Sequence, residues 1–500
     1  MTRVSVAASR ESSHNQKLLR VVVVFAMILP AAASVAVTSP IPIDVRMEAA
    51  LVCALCLMPA WIYLGSYSLR PPIPFLPIIG VLYAIYFALP AALGAYNQHY
   101  KIVLTPTRDY DDAVFAALVG WTALLIGTFV ERMLLPVKRA VPHLAVSDAR
   151  LRNYAVPLMI VGLCIEGLRR VVTIPVEIAG LLVFLTSLGW FGSGILVMLN
   201  VRGRLTTPWR LLTYAGTSAF FLLGIGSGSV AAAAFYGTII VVAAWIGRKR
   251  LGVLWIGGVV FGAVLIISLR GVTDQYRKMV WYQSEGADAI EGPKMFLGLL
   301  QQRIASDGVQ GTIEKGFATS AGRSANLDLL ADVIRRTPDE VPYWGGETYL
   351  SLVGAFVPRF LWPDKPTKEL GQGFGHRYGY IGARDSQTAI NLPILVEFYV
   401  NFGIAGVALG MFLVGAIYRL VEHAVNRPGQ DDIYSLAGIV LMIPLTNIES
   451  DFSLGFGGLI LNGLALWFVL RLIGQPASRR SIASAAYSQS QPLVAQSRQG

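Results

Sequence analysis

The sequence predicts an all-α polytopic integral membrane protein, with about twelve transmembrane helices and one large outer loop late in the chain. Three observations predict it. Of 500 residues, 54% are hydrophobic and only 14% charged, a mixture far short of the ~25% charge of soluble domains. The apolar residues gather in runs long enough to cross a hydrocarbon layer ~30 Å thick. The cations gather on alternate connections between those runs. Disorder is excluded as the main state, because ample apolar surface is available to bury.

Taken in order, the runs place spans at 19–38, 48–66, 73–95, 112–130, 153–168, 174–199, 211–225, 229–247, 251–269, 400–420, 432–448 and 455–472. Lys17 and Arg20 precede the first, whose small residues from Ala31 to Ala36 resemble a signal-peptidase site. An uncleaved signal anchor is expected, and cleavage would leave the later spans where they are. Gly224, Gly226 and Gly228 divide 211–247 into a hairpin, since Gly permits a tight reversal. The organisation is then a cytoplasmic tail 1–18, spans one to nine over 19–270, a loop with short helices over 271–399, spans ten to twelve over 400–472, and a Ser/Gln-rich disordered cytoplasmic tail 473–500.

The charges test this map. With the amino terminus inside, 22 of the 41 Lys and Arg residues fall on inner segments, five on short outer loops and 14 between Arg270 and Arg384. That is the positive-inside bias. The net charge of +11 therefore reflects topology and attraction to anionic lipid heads, and calls for no nucleic acid. Cys53, Cys56 and Cys164 all lie within apolar runs, so no disulfide framework exists outside the membrane. Cys53 and Cys56 share a helical face without a His and read as small polarizable residues.

The stretch 271–391 is expected outside the cytoplasm and nearly balanced, with 14 acidic against 13 basic residues. Within it, Leu327, Leu330, Ala331 and Ile334 form an apolar helical face, with Asp328, Asp332 and Arg335 opposite and Pro338 as a stop. Met295 to Ile304 could lie on the bilayer surface. Inner loops are too short for a nucleotide-binding domain, and neither phosphate-binding glycine motif is present. An activated donor used outside must arrive with its leaving group attached, as a lipid-linked diphosphate does. No cofactor or metal is called for. Arg323, Arg359, Lys365, Arg377 and Arg384, with Arg270 and Arg277 at the loop entrance, could grip such a diphosphate, or could salt-bridge the loop's carboxylates. Pro358, Pro363 and Pro366 stiffen the segment that presents Arg359 and Lys365. Glu397 stands at the edge of an apolar run, as a base toward a sugar hydroxyl or as an interfacial carboxylate paired with Arg359 or Lys365.

The order Arg323, Pro342-Tyr343-Trp344-Gly345-Gly346-Glu347-Thr348-Tyr349, Pro358-Arg359-x-x-Trp362-Pro363-x-Lys365-Pro366 and Glu397-x-Tyr399-x-Asn401-Phe402-Gly403-x-x-Gly406 resembles the bacterial oligosaccharide repeat-unit polymerases, the Wzy-type O-antigen polymerases. The resemblance covers residues 323–406. It implies a GT-C-like membrane architecture and an inverting, metal-independent glycosyltransferase. Such an enzyme moves a growing glycan from undecaprenyl diphosphate to the next lipid-linked repeat unit at the periplasmic face of the inner membrane. It further implies lipid-linked donor and acceptor, membrane lipids, a flippase and a chain-length regulator as partners. By position, Glu397 and Arg359 would be catalytic. Arg323, Lys365, Arg270, Arg277, Glu347, Tyr349, Arg377, Tyr399 and Asn401 would bind substrate. The chain departs from the family at Gly228-Ser229-Val230, where an Arg often follows the Gly-Ser, and this shifts donor binding toward Arg169, Arg170 or Arg270.

Rival readings are an O-antigen ligase, which shares the donor, and a transporter of lipid-linked sugars. The latter usually carries mid-bilayer charges and repeated halves; here the central parts of the spans are nearly uncharged, with Glu166, close to a span end, the main exception, and the halves do not match. Asp109, Asp111 and Asp112 spell a D-x-D that would hold a cation, unless Asp111 and Asp112 cap the fourth helix. His376 is a candidate base or a solvent-facing loop residue.

Overall fold

The computed structural model describes residues 2–65, 71–95, 104–105, 107–130, 144–172, 176–226, 230–248, 271–273, 275–276, 279, 291–323, 326–350, 352, 362, 370–385 and 388–476. The expected ninth span at 251–269, the tip of the 224–228 hairpin and the tail after 476 lie outside them. In chain order the helices are α1 (Thr2–Ala36), α2 (Ile43–Gly65), α3 (Phe75–Phe87), α4 (Leu89–Ala92), α5 (Arg108–Gly127), α6 (Asp148–Val171), α7 (Val176–Val201) and α8 (Thr207–Gly226). They continue as α9 (Val230–Arg248), α10 (Glu291–Arg323), α11 (Asn326–Arg336), α12 (Leu370–Arg377), α13 (Ile394–Val425), α14 (Asp432–Leu445), α15 (Phe452–Phe456) and α16 (Leu459–Ile473). Among the described residues the strand content is one antiparallel bridge, Leu144–Ala145 with Gln475–Pro476, which ties the start of α6 to the end of α16.

The chain is an all-α, multi-pass membrane protein. Among the described residues, seven stretches are long and apolar enough to cross a bilayer: Leu19–Ala36, Ile43–Gly65, Arg108–Gly127, Asp148–Arg169, Leu182–Val201, Ile394–Val425 and Phe452–Ile473. Three shorter apolar helices, Phe75–Phe87, Ala233–Arg248 and Asp432–Leu445, accompany them. The expected seventh span corresponds to α8, which is not among the seven. Thr213 and Thr217 of α8 return their hydroxyls to the carbonyls of Trp209 and Thr213 one turn back. The expected third span, 73–95, breaks at Ala88 (φ −138°, ψ −48°), where Pro90 opens the short α4.

A second difference concerns α11. The sequence places Asp328 and Asp332 opposite the apolar face of this helix, and each is 2% exposed. Both carboxylates accept from tyrosines: Tyr110 Oη to Asp328 at 2.6 Å and Tyr380 Oη to Asp332 at 2.7 Å. Arg335 and Arg336 bracket Asp332 at 2.5 and 3.5 Å. The helix is buried on both faces because distant partners satisfy its acids.

Helix pairs meet through small residues, as expected where lipid leaves close packing to drive association. α5 lies against α13. A side chain on Gly127 would stand 2.0 Å from the carbonyl of Phe412, and one on Gly415 2.0 Å from that of Leu124. Likewise α6 and α7 touch at Gly162 and Gly189. Gly415→Val is therefore expected to destabilise the protein by ~1–3 kcal/mol through overpacking against a backbone that cannot yield. Thermal unfolding in detergent checks it; an unchanged midpoint would contradict the close crossing.

Candidate functional site

The candidate site forms where α13 breaks. Phe402 (φ −144°, ψ 17°) and Gly403 (φ 62°, ψ −151°) leave helical geometry, and the Gly403 conformation is one that essentially only glycine adopts. Residues 394–401 fold back against the helix that follows: a Cβ on Gly406 would stand 2.3 Å from the carbonyl of Phe398, and one on Gly410 2.4 Å from its ring. The missing side chains make the reversal fit.

A break strands backbone groups, and these are recovered. The carbonyls of Val400 and Asn401 accept from the N–H groups of Trp344 and Gly345 at 2.9 and 3.3 Å. The Asn401 side chain completes the strap. Its Oδ1 accepts from Gly346 N at 2.8 Å, while Nδ2 donates to the Glu397 carbonyl and to Thr348 Oγ1 at 2.8 and 2.9 Å. Gly345 (φ 57°) and Gly346 (φ 94°) provide left-handed turns that bring all three N–H groups to the helix break. The one-turn 3-10 helix Glu347–Tyr349 then lies over residues 397–402.

Beneath the strap sits Glu397, 0% exposed. Its Oε2 accepts from Phe452 N at 2.5 Å, at the start of α15, whose N-cap Asp451 accepts from Leu454 N at 3.0 Å. Oε1 is buried without a hydrogen-bond partner among the described residues. So is Tyr349 Oη, beside the same carboxylate. Burial first, then the neighbouring Glu397 charge, pushes the Tyr349 phenol well above its ordinary value, so it remains a neutral donor. Aromatic rings wall the pair: Tyr349 lies 6.3 Å from each of Phe398, Phe402 and Phe452. Phe402 is 51% exposed and Tyr343 43%, so one side of the wall faces outward.

At the rim, Arg377 from α12 pairs with Glu347 at 3.1 Å and lies 4.5 Å over the Trp344 ring. Tyr399 neighbours Tyr343 at 6.5 Å. The structure thus brings together Glu347, Tyr349, Arg377, Glu397, Tyr399 and Asn401. Arg323 ends α10. Arg270, Arg277, Arg359 and Lys365 lie outside the described residues, as does the proline segment around Arg359 except Trp362. Thr348, Tyr343 and the Phe452 N–H belong to the site without having been singled out. The first two sit in a motif already marked, whereas Phe452 lies 55 residues from Glu397.

The D-x-D resolves as a helix start. Asp109, 6% exposed in the first turn of α5, accepts from Thr105 N at 2.6 Å, while Asp111 and Asp112 are exposed. Asp109 thereby ties the preceding loop to the first turn, while the N-cap residue, Thr107, makes no side-chain cap bond, and among the described residues Asp111 and Asp112 do not supply the expected one. Among the described residues no three His, Cys, Asp or Glu side chains stand together as metal ligands. His376 is exposed.

Of known families, a domain of unknown function (DUF8712) matches residues 238–428, a segment that contains the strap, α12 and the break in α13. No curated protein and no solved structure matches the chain.

Asn401→Ala would strand the Gly346 N–H and remove two donors, at a cost of ~1–3 kcal/mol. Gly403→Ala would impose a strained backbone at a similar cost of ~1–3 kcal/mol. Both should lower the thermal midpoint of the purified protein, and midpoints equal to wild type would refute the strapped break.

Proposed function

We propose that the chain polymerises lipid-linked oligosaccharide repeat units in a bacterial inner membrane. It would have about twelve spans in a GT-C-like arrangement and both termini in the cytoplasm. The observation that carries the reading is Glu397, a carboxylate beneath the strap whose Oε1 has no hydrogen-bond partner among the described residues, with a neutral tyrosine beside it. A buried acceptor atom without a partner costs free energy, and a functional role is one explanation for such an atom.

In the proposed reaction Glu397 takes the proton of an acceptor-sugar hydroxyl. The hydroxyl oxygen attacks the anomeric carbon of the donor glycan with inversion. The bond from that carbon to the diphosphate oxygen breaks, and undecaprenyl diphosphate departs with the bonding electrons. Arg359 and Lys365, with Arg323, Arg270 and Arg277, would hold the charge that builds on the leaving group. Arg377 and Glu347 at the rim would orient sugar hydroxyls, and Tyr399 and Asn401 would shape the acceptor pocket. The strap residues Thr348 and Tyr349 must shift for an acceptor to reach Oε1. A flippase supplying repeat units and a chain-length regulator are the partner proteins of this reading.

The test is purified protein in liposomes given a lipid-diphosphate oligosaccharide. Wild type should yield a ladder of products. Glu397→Gln should cut extension by about 100-fold or more, the contribution of a general base, with membrane insertion intact; Arg359→Ala should do the same. A wild-type ladder from Glu397→Gln would remove that residue from the mechanism, and cytosolic labelling of residues 271–391 would remove the whole reading. Transfer of one glycan to a lipid A core would identify a ligase instead.

A further inference from the structure

Away from Glu397, helices α6, α7, α9, α14 and α16 enclose a cavity of about 430 Å³. This is the size of a ligand site. Its walls are largely apolar and aromatic, with Trp190 among them, and an ion pair at the end of a candidate membrane span gives them a charged edge. Glu166 and Arg169, near the end of α6, meet at 3.2 Å, with side chains 12% and 36% exposed. A charged edge beside an apolar volume offers an amphipathic ligand a polar anchor and an apolar seat.

The polar groups are unevenly satisfied. Among the described residues Arg169 uses one of its five N–H donors, on Glu166. Ser187 donates to its own helix, at the Phe184 carbonyl, and leaves acceptor lone pairs toward the cavity. Asn462 of α16 also lines the space, and its side-chain amide makes no hydrogen bond among the described residues. The site therefore offers spare guanidinium donors, a carboxylate and a neutral amide beside an apolar volume.

We propose that this cavity binds a phospholipid whose headgroup carries a phosphate and a primary ammonium, as phosphatidylethanolamine does. The phosphate would take the unused donors of Arg169, the ammonium would share Glu166, and an acyl chain would fill the apolar remainder. Charge complementarity selects this class. A purely anionic lipid would meet Glu166 as a like charge, and a quaternary ammonium would bring no N–H to it.

The experiment is native mass spectrometry of the full chain, delipidated in detergent and offered phosphatidylethanolamine, phosphatidylglycerol and phosphatidylcholine in equal amounts. One phosphatidylethanolamine should be retained with roughly tenfold preference, the worth of one charge-assisted hydrogen bond. Glu166→Gln should abolish the preference, and Ser187→Trp, which fills the cavity, should abolish retention. Equal retention of phosphatidylglycerol by wild type, or undiminished retention by Ser187→Trp, would overturn the proposal. Should Ser187→Trp fail to fold, Glu166→Gln and Arg169→Gln decide: unchanged preference in both overturns it.

Discussion

The site depends on how a broken helix is made tolerable inside an apolar bundle. A break leaves carbonyls without partners, and in a membrane each unsatisfied group costs several kcal/mol. Here the N–H groups of Trp344 and Gly345 reach the carbonyls of Val400 and Asn401, and Asn401 ties Gly346 and Thr348 to the same point. Fold and site are the same hydrogen bonds. Without the strap the reversal at Gly403 would be open, and without the reversal Glu397 would lie along a continuous helix.

Around this point the bundle is rigid where it needs to be. Glycines let α5 and α13 approach to backbone contact, which fixes the helix that carries the break. On the other side of the strap, α11 is locked by buried Asp328 and Asp332, each bonded to a tyrosine. Tyr378 extends the lock by its hydroxyl contact to Thr337 at 2.5 Å, and burial holds its phenol up at about 12, so it stays neutral. α12 presents Arg377 from this fixed frame to Glu347 and Trp344. Glu397 is held beside this frame by its bond from Phe452 N, while the strap residues Thr348 and Tyr349 cover its Oε1.

Hydropathy carried the all-α, multi-pass character of the chain, because lipid demands long apolar runs. The polar-aromatic element ending in Gly403 stood out in the sequence as a motif, but the break it forms did not. What escaped the sequence was decided by contacts far apart in the chain. Asp328 stood opposite the apolar face of its helix, and the donor that lets it be buried, Tyr110, lies 218 residues away. Glu397 read either as a base or as an interfacial carboxylate, and its bond from the backbone of Phe452, 55 residues on, could not be seen in the sequence. The fold-back of Phe398 onto Gly410 was equally hidden, because periodicity reports which face is apolar and says nothing of where a helix reverses.

The most direct measurement is amide hydrogen exchange across residues 343–349 of the membrane-reconstituted protein. Slow exchange at Trp344 and Gly346, accelerated in Asn401→Ala, is the result expected if the strap caps the broken helix. Exchange at these amides as fast as in an unbonded surface loop, in the wild-type chain, would contradict it.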